Sequence, residues 1–186
     1  MKEQLRPKIL SKDFYARSTL KVAQELLGCF LVRQYRGKVW RAMIMETEAY
    51  AGEDDLASHA SRGRTPRTET MYGAPSYAYV YMIYGMYHCL NIVTEKKDFP
   101  AAVLIRGVKI DSIDYKNTNG PGKLCKFLKI DKRLNKLDIT KGDKLWIEAR
   151  DPKLKSPKIK KAKRIGIDYA KHCKEYLWRF SLSSRA

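Results

Sequence analysis

The sequence predicts a mixed α/β fold of the α+β class: a single compact domain in which a curved, largely antiparallel sheet is flanked by short helices. Most candidate elements are short and rich in β-branched and aromatic residues, as strands are, and glycine-containing turns join two pairs of them as hairpins. The chain has 186 residues, of which 44% are hydrophobic. This is enough for one core, so the domain is expected to span residues 1–186.

The first predicted elements are a helix and a β-hairpin. Ser18 is a candidate N-cap, leucine and alanine side chains then share one face, and Gly28 suits the stop of a helix that ends at Leu27. The turn at residues 36–38 contains Gly37, which favours a hairpin. Its predicted strands are residues 29–35 and 39–50.

The rest of the chain contains further strands and a second helix. Residues 52–67 are polar and contain glycine, which predicts a loop. Pro121 suits the first turn of a short helix that would bury Leu124, Phe127 and Leu128. The remaining predicted strands are residues 77–83 and 87–93, which form a second hairpin, and residues 101–106, 145–149 and 178–182.

The charge of the chain indicates a polyanionic partner. Lys and Arg total 38 and Asp and Glu total 20, which gives a formal net charge of +18. Nucleic acid and anionic membrane are the two candidates. No apolar run approaches the ~18 residues of a membrane-spanning helix, and neither a secretory signal nor a long amphipathic basic helix is evident. Nucleic acid is therefore the expected partner, and no membrane association is expected.

Two further features concern the compartment and the surface. The four cysteines form no Cys-x-x-Cys pair, which indicates buried, reduced thiols in a cytosolic compartment rather than a zinc site. Six lysines lie within residues 153–163. A solvated loop is the expected structure of this segment, and it could add nonspecific attraction for phosphates.

Acidic residues are concentrated near the end of the second predicted strand. Glu46, Glu48 and Tyr50 lie at alternate positions, so their side chains should share one face. A carboxylate beside an aromatic ring in a positive field is a plausible catalytic arrangement. A surface strand end balanced by neighbouring lysines would show the same pattern, and periodicity alone does not separate the two.

Tyrosines are dense in the second predicted hairpin. Tyr77, Tyr79 and Tyr81 alternate along one strand, a pattern more typical of sheet packing than of function. Tyr84 differs because it falls where the hairpin should turn, so its ring would stand in water. Exposed apolar tips of this kind unstack base steps in DNA. Inward packing of the ring is the alternative.

These motifs are more specific as an ordered set than singly. The set consists of Glu46-Thr47-Glu48-Ala49-Tyr50, His59, Arg62-Gly63-Arg64-Thr65-Pro66-Arg67, the tyrosine-rich residues 79–87, Asn91, Arg106, and Asn119-Gly120-Pro121-Gly122-Lys123-Leu124-Cys125. In order and spacing it resembles the alkyladenine (3-methyladenine) DNA glycosylase family. The likeness covers most of the chain and is weakest before Ser11 and in residues 134–163. Ser76 departs from the pattern, since many members have glycine there. So does the stretch Gly107-Val108-Lys109 after Arg106, where an acidic residue is more usual.

The resemblance implies a monofunctional base-excision-repair enzyme. Such an enzyme flips alkylated purines (3-methyladenine, 7-methylguanine), and in some cases deaminated purines, out of duplex DNA and hydrolyses the N-glycosidic bond without lyase activity. Glu48 matches the general base that activates water, and Arg106 matches an arginine near that water. No metal or other cofactor is implied.

The resemblance also assigns the residues that bind the base. Tyr50, His59 and Tyr81 match residues that hold the flipped base by stacking, and Asn91 matches a residue that disfavours the exocyclic amino group of guanine. Tyr84 matches the tyrosine that fills the gap in the duplex. The expected partner is double-stranded DNA containing damaged purines, and the protein is expected to be a monomer. In a prokaryote, the protein is expected in the cytoplasm in association with the nucleoid. In a eukaryote, it is expected in the nucleus.

Other function classes fit parts of the pattern. A metal-dependent nuclease could use Glu46, Glu48, Asp54 and Asp55, but strand-end His or Asp partners are missing. A zinc base deaminase would need His-x-Glu and Pro-Cys-x-x-Cys motifs, which do not occur. A lyase-type glycosylase would need an amine that forms a Schiff base, and lysine is too plentiful to exclude this by inspection. A non-catalytic, basic RNA- or DNA-binding module explains the charge and the tyrosines but leaves the acidic residues without a purpose.

Overall fold

One eight-stranded antiparallel sheet organises the molecule. The computed structural model describes residues 8–150 and 158–182. Its strands are β1 (Phe30–Tyr35), β2 (Lys38–Ala51), β3 (Ala78–Ile83), β4 (Tyr87–Val93), β5 (Ala101–Lys109), β6 (Leu145–Glu148), β7 (Ile159–Ala162) and β8 (Arg179–Leu182). Its α-helices are α1 (Lys12–Tyr15), α2 (Thr19–Glu25) and α3 (Pro121–Phe127). Short 3₁₀ helices occupy His59–Arg62, Glu69–Tyr72, Tyr115–Asn117, Lys132–Leu134 and Lys171–Glu175.

The long strand β2 is the centre of the sheet. Its first half pairs with β1, and its second half is flanked by β5 on one side and by β8 on the other. Across this second half, the strand order is β3-β4-β5-β2-β8-β7. Register shifts at Glu46 interrupt the pairing with β5, and such irregularities increase the twist of a sheet. The predicted α+β class, with its curved antiparallel sheet and short helices, is confirmed.

The main hydrophobic core lies between the sheet and the helices. Aliphatic side chains of α2 and α3 pack against inward-facing residues of the strands, and most of them are removed from water. Leu124 and Leu128 are fully buried as predicted, whereas Phe127 only packs against the edge of this core. A smaller cluster surrounds the buried Tyr79 and supports the face of the sheet on which the polar motifs lie. Within residues 8–150 and 158–182, no helix is long and apolar enough to cross a bilayer.

Both predicted hairpins are present. The first turns through Arg36 and Gly37, whose φ angles of 48° and 77° suit a two-residue turn with both central residues in the left-handed region. The second turns through residues 84–86, and Ile83 pairs with Tyr87. The predicted strand at residues 101–106 is correct but too short, because pairing with β2 continues to Lys109.

Two local predictions are wrong. Ser18 occupies the N-cap position of α2, but its side chain makes no capping hydrogen bond. The carboxylate of Glu95, 76 positions away, instead accepts from the Thr19 N–H at 2.6 Å. The lysine-rich segment is not simply a solvated loop, because Ile159–Ala162 pairs with β8 as an edge strand. Exposed lysines are typical of edge strands, which they protect from further pairing. Residues 153–157 lie outside the described residues.

Arg33 shows how a buried cation stabilises this fold. Its guanidinium donates to the carbonyl oxygens of Leu128 (3.3 Å), Gln34 (2.8 Å), Lys144 (3.0 Å) and Lys129 (3.1 Å). The side chain therefore ties β1 to the end of α3 and to the chain before β6. Lysine carries the charge but lacks the planar fork of five donors.

We expect Arg33→Lys to lower the free energy of unfolding by ~1–3 kcal/mol, because lysine cannot donate to all four carbonyls at once and that of Leu128 is buried. Urea denaturation followed by circular dichroism measures the loss. A change below ~0.5 kcal/mol, the range typical of ordinary surface substitutions, would show that water replaces the lost contacts.

Candidate active site

A pocket of about 210 Å³ opens on the face of the sheet that carries Glu48. Its walls come from both edges of the sheet. The β3–β4 hairpin contributes one wall, and residues 165–169, which follow β7, contribute the other. The lining residues include Tyr50, His59, Met71, Tyr79, Tyr81, Tyr84, Cys89, Asn91, Leu104, Arg106, Ile165, Gly166, Ile167 and Tyr169. The curl of the sheet thus brings its two edges to one cavity.

Glu48 lies in the second half of β2 and has no exposed surface. Its Oε2 accepts a hydrogen bond from the Tyr50 hydroxyl at 2.8 Å and from Nη1 of Arg106 at 3.4 Å. Its Oε1 accepts from the backbone N–H of Ile165 at 2.9 Å. Burial raises the pKa of Glu48, while Arg106 and the two hydrogen-bond donors oppose that rise. The result is a buried carboxylate that is more basic than usual and held in one orientation.

A line of alternating charges continues from Glu48 along the sheet. Arg106 on β5 lies between Glu48 and Glu46, and its Nε donates to Oε1 of Glu46 at 3.3 Å. The same oxygen accepts from Nη1 of Arg179 on β8 at 3.1 Å. Arg106 is mostly buried, with 13% of its side chain exposed. The predicted common face of Glu46, Glu48 and Tyr50 is confirmed, and it is a compensated ion network rather than a surface strand end.

Aromatic side chains form the wall beside this carboxylate. The rings of His59 and Tyr81 meet edge to face with centroids 4.5 Å apart, and Tyr79 lies 5.2 Å from Tyr81. Nδ1 of His59 is 3.0 Å from the Tyr79 hydroxyl. Burial, together with the nearby Arg67 and Arg62, lowers the pKa of His59 to about 4. At neutral pH the imidazole is therefore uncharged.

Asn91 and Tyr84 occupy the floor and the rim of the pocket. Asn91 is buried on β4, and its Nδ2 donates to the Tyr79 carbonyl at 3.3 Å, which fixes the orientation of the amide. Tyr84 is 85% exposed at the tip of the β3–β4 hairpin. Its φ of 50° and that of Gly85, 67°, place both residues in the left-handed region that a tight turn needs. The ring does not pack inward, so that alternative is wrong.

All seven residues singled out by the sequence thus lie in or beside one pocket. Sequence reasoning missed two contributions. Exposed Arg67 lies with its guanidinium carbon 5.3 Å from the centre of the Tyr81 ring. Residues 165–169 supply the Ile165 N–H and the ring of Tyr169, which is 66% exposed. The ring had a detectable signal, an aromatic residue in a basic loop, but a backbone donor has none.

The carboxylates that a nuclease would need are dispersed. Glu46 and Glu48 face arginines, and the carboxylate of Asp55 pairs with Arg164. In the described part of the chain, no three His, Cys, Asp or Glu side chains are grouped so that they could hold a metal ion. All four cysteines are buried free thiols, as predicted.

Comparison with known proteins places these residues in a family. Residues 13–186 match the sequence model of the methylpurine-DNA glycosylase family. A protein of Clostridium perfringens, provisionally named a 3-methyladenine DNA glycosylase, is 45% identical to this chain in an alignment of length 192. The alignment covers 92% of this chain and 94% of the relative. Proteins with the same provisional name from Sodalis glossinidius and Methanocella arvoryzae are 50% and 46% identical, and each alignment covers 92% of this chain. These alignments cover 95% and 91% of the two relatives.

We expect His59 to titrate with a pKa of about 4 in the folded protein, because burial and two nearby arginines disfavour the imidazolium. An NMR titration of the histidine ring signals measures it, and His59→Gln assigns the signal. Because the folded pKa is lower than the unfolded value, stability that is present above pH ~6.5 is lost as the pH falls towards 4. A midpoint near 6.5 would contradict this account of the pocket.

Proposed function

The chain belongs to the methylpurine-DNA glycosylase family, and we propose that it releases alkylated purines from duplex DNA with a water molecule activated by Glu48. As a member of this family it is a DNA glycosylase, a hydrolase of N-glycosyl bonds that acts in base-excision repair of DNA. The identity of the base, the flipping step and the roles of single residues belong to the proposal.

The hydrogen bonding of Glu48 is the observation that carries the proposal. An ionised carboxylate has about four acceptor positions. Three of them are occupied by the Tyr50 hydroxyl, Arg106 and the Ile165 N–H. These three donors fix the orientation of the carboxylate. Because Glu48 has no exposed surface, the proposal assigns the fourth position to a water molecule that enters with the substrate. The raised pKa of Glu48 increases its strength as a base.

The proposed reaction is a hydrolysis. The oxygen of the bound water bonds to C1′ of the deoxyribose while the N-glycosidic bond breaks. The electron pair of the broken bond leaves with the purine. Glu48 accepts a proton from the water. A purine alkylated at N3 or N7 is cationic before it leaves and neutral afterwards, so it needs no proton from the protein. Arg106, which faces both Glu46 and Glu48, helps to keep the carboxylate ionised at neutral pH.

The aromatic wall favours a damaged base over a normal one. A cationic purine against the wall that Tyr81 and His59 form would gain ~0.5–2 kcal/mol per aromatic face. The low pKa of His59 matters here, since an imidazolium would repel the same cation. Tyr50, whose hydroxyl is held by Glu48, would contribute the edge of the pocket nearest the reaction. The fixed amide of Asn91 would oppose the exocyclic amino group of guanine.

The exposed hairpin tip supports base flipping. Extrusion of a base from a duplex requires a few kcal/mol, and least for a damaged base. The Tyr84 ring, standing in solvent at the rim of the pocket, can take the place of the extruded base in the stack. The formal net charge of +18 supports association with the phosphate backbone.

We further propose that the protein acts as a monomer, without lyase activity or a metal, in the cytoplasm of a prokaryote or the nucleus of a eukaryote.

We expect Glu48→Gln to lower the rate of base release by at least ~10²–10⁴-fold, because glutamine keeps the shape of the side chain but accepts no proton. The assay is release of 7-methylguanine or 3-methyladenine from duplex DNA in excess EDTA, and binding to the damaged duplex should persist. Glu148→Gln is the matched control. Glu148 is also buried and accepts hydrogen bonds from Arg41 and Trp146, but it lies on β6.

Substantial activity of Glu48→Gln would exclude Glu48 as the base. Sensitivity of the unaltered protein to EDTA would favour the nuclease, and a borohydride-trapped adduct would favour the lyase.

We expect Tyr84→Ala to weaken capture of the flipped base by the ~1–3 kcal/mol that one aromatic stack contributes, with little change in thermal stability. Tyr84→Phe should be mild, because stacking does not need the hydroxyl, and Tyr81→Ala should damage the base pocket itself. Fluorescence of 2-aminopurine beside the lesion reports flipping, and thermal melts report stability. A variant that melts many degrees lower yet flips bases normally would show that Tyr84 serves packing.

A further inference from the structure

Arg164 is a buried cation directly before the backbone N–H that holds Glu48. Its side chain has no exposed surface and forms a two-pronged ion pair with Asp55, whose side chain is 1% exposed. The two N···O distances are 2.5 and 2.7 Å. The same guanidinium donates to the carbonyl of Ala49 at 2.9 Å and to that of Cys173 at 3.2 Å. Arg164 therefore joins strand β2, the loop after it and the last 3₁₀ helix.

The guanidinium also lies against two aromatic rings. Its central carbon lies 4.8 Å from the centre of the Tyr50 ring and 5.0 Å from that of Trp178. Trp178 is anchored in turn, because its carbonyl accepts from the N–H of Ala49 on β2. The Tyr50 ring is thus supported on the side occupied by Arg164, while its hydroxyl points to Glu48.

Both neutral donors to Glu48 depend on this one side chain. The Ile165 N–H belongs to the next residue of the backbone, and the Tyr50 hydroxyl belongs to the ring on which the guanidinium stacks. We propose that Arg164, together with Asp55, is a positioning residue for the proposed reaction. It holds the Ile165 N–H and the Tyr50 hydroxyl on the carboxylate of Glu48, and so fixes the orientation in which that carboxylate binds water.

The choice of residue type supports this role. A buried ion pair often contributes no more stability than apolar side chains of similar size, so its presence here is weakly explained by stability alone. Arginine, however, offers a rigid planar fork that can bond two carboxylate oxygens and two carbonyls while its faces stack on rings. Lysine provides one mobile charge and cannot hold all of these contacts together.

The inference rests on Glu48 being the general base, and it has a pH signature. The charged or titratable groups around Glu48 are Glu46 and Tyr50 on β2, Cys89 on β4, Arg106 on β5, Arg164 after β7, and Arg179 on β8. Loss of the Ile165 donor removes a group that stabilises the ionised carboxylate, so the pKa of Glu48 should rise. Base release falls when Glu48 is protonated, and the acidic limb of its pH profile should therefore move to higher pH.

The test is single-turnover release of an alkylated purine by Arg164→Lys across pH 5–9, with rates divided by the folded fraction from circular dichroism. We expect the maximal single-turnover rate constant to fall roughly 10- to 100-fold, as for a misplaced catalytic group, and the acidic limb of its pH profile to move to higher pH. The enzyme concentration that gives half of the maximal rate should change little. Arg33→Lys is the matched control, because Arg33 is equally buried but lies away from the pocket. It should lose stability without any change in the pH profile.

A second variant covers a failure of the first to fold. The double substitution Arg164→Met and Asp55→Asn removes both charges of the ion pair, so neither charge is left buried without a partner. We expect the acidic limb of its pH profile to move to higher pH as well. The inference would be overturned if the acidic limb of the pH profile did not move and the rate per folded molecule stayed normal. It would also be overturned if both Arg164 variants failed to fold under conditions in which Arg33→Lys folds. These outcomes are distinct from failure of the proposed function, in which Glu48→Gln itself would remain active.

Discussion

The burial of a carboxylate at Glu48 is the constraint on which the rest of the site depends. A charge removed from water needs donors, and those of Glu48 come from three separate parts of the chain: Tyr50 on the same strand, Arg106 on β5, and the backbone after β7. Only a sheet that flanks the second half of β2 on both sides can deliver them together. The pairing of β2 with β5 and with β8 is therefore as much a part of the site as the carboxylate.

Rigidity and exposure are divided between the parts of the pocket. Its floor is built from sheet residues with fixed partners, such as Asn91 and Arg106, which gives the precise placement of groups that the proposed reaction needs. Its rim carries the exposed rings of Tyr84 and Tyr169 on turns and loops. These rings contribute little to the core, so they remain available for a large partner. The arrangement is compatible with the proposed extrusion of a base from the duplex.

The local and the overall electrostatics serve different purposes. Over the whole chain, lysines and arginines give a strongly positive field that acts at a distance on any polyanion. Inside the pocket, by contrast, Glu46 and Glu48 offset the arginines that face them, and His59 stays neutral. A cationic base would therefore meet neutral aromatic faces beside an arginine, Arg106, whose charge the two carboxylates offset. The net charge supports association with DNA, and a damaged base within that DNA is the proposed occupant of the pocket.

The sequence by itself determined the fold class, both hairpins, the common face of Glu46, Glu48 and Tyr50, and the exposed position of Tyr84, because these follow from alternation and turn chemistry within a few residues. Tertiary structure alone decided the rest. Glu95 rather than Ser18 caps α2, residues 159–162 form a strand despite their lysines, and the Ile165 N–H reaches Glu48 from 117 positions away. A backbone N–H is present at almost every residue, so no pattern marks the one that a buried carboxylate will use. That choice follows from which strands pair and where the chain re-enters the sheet.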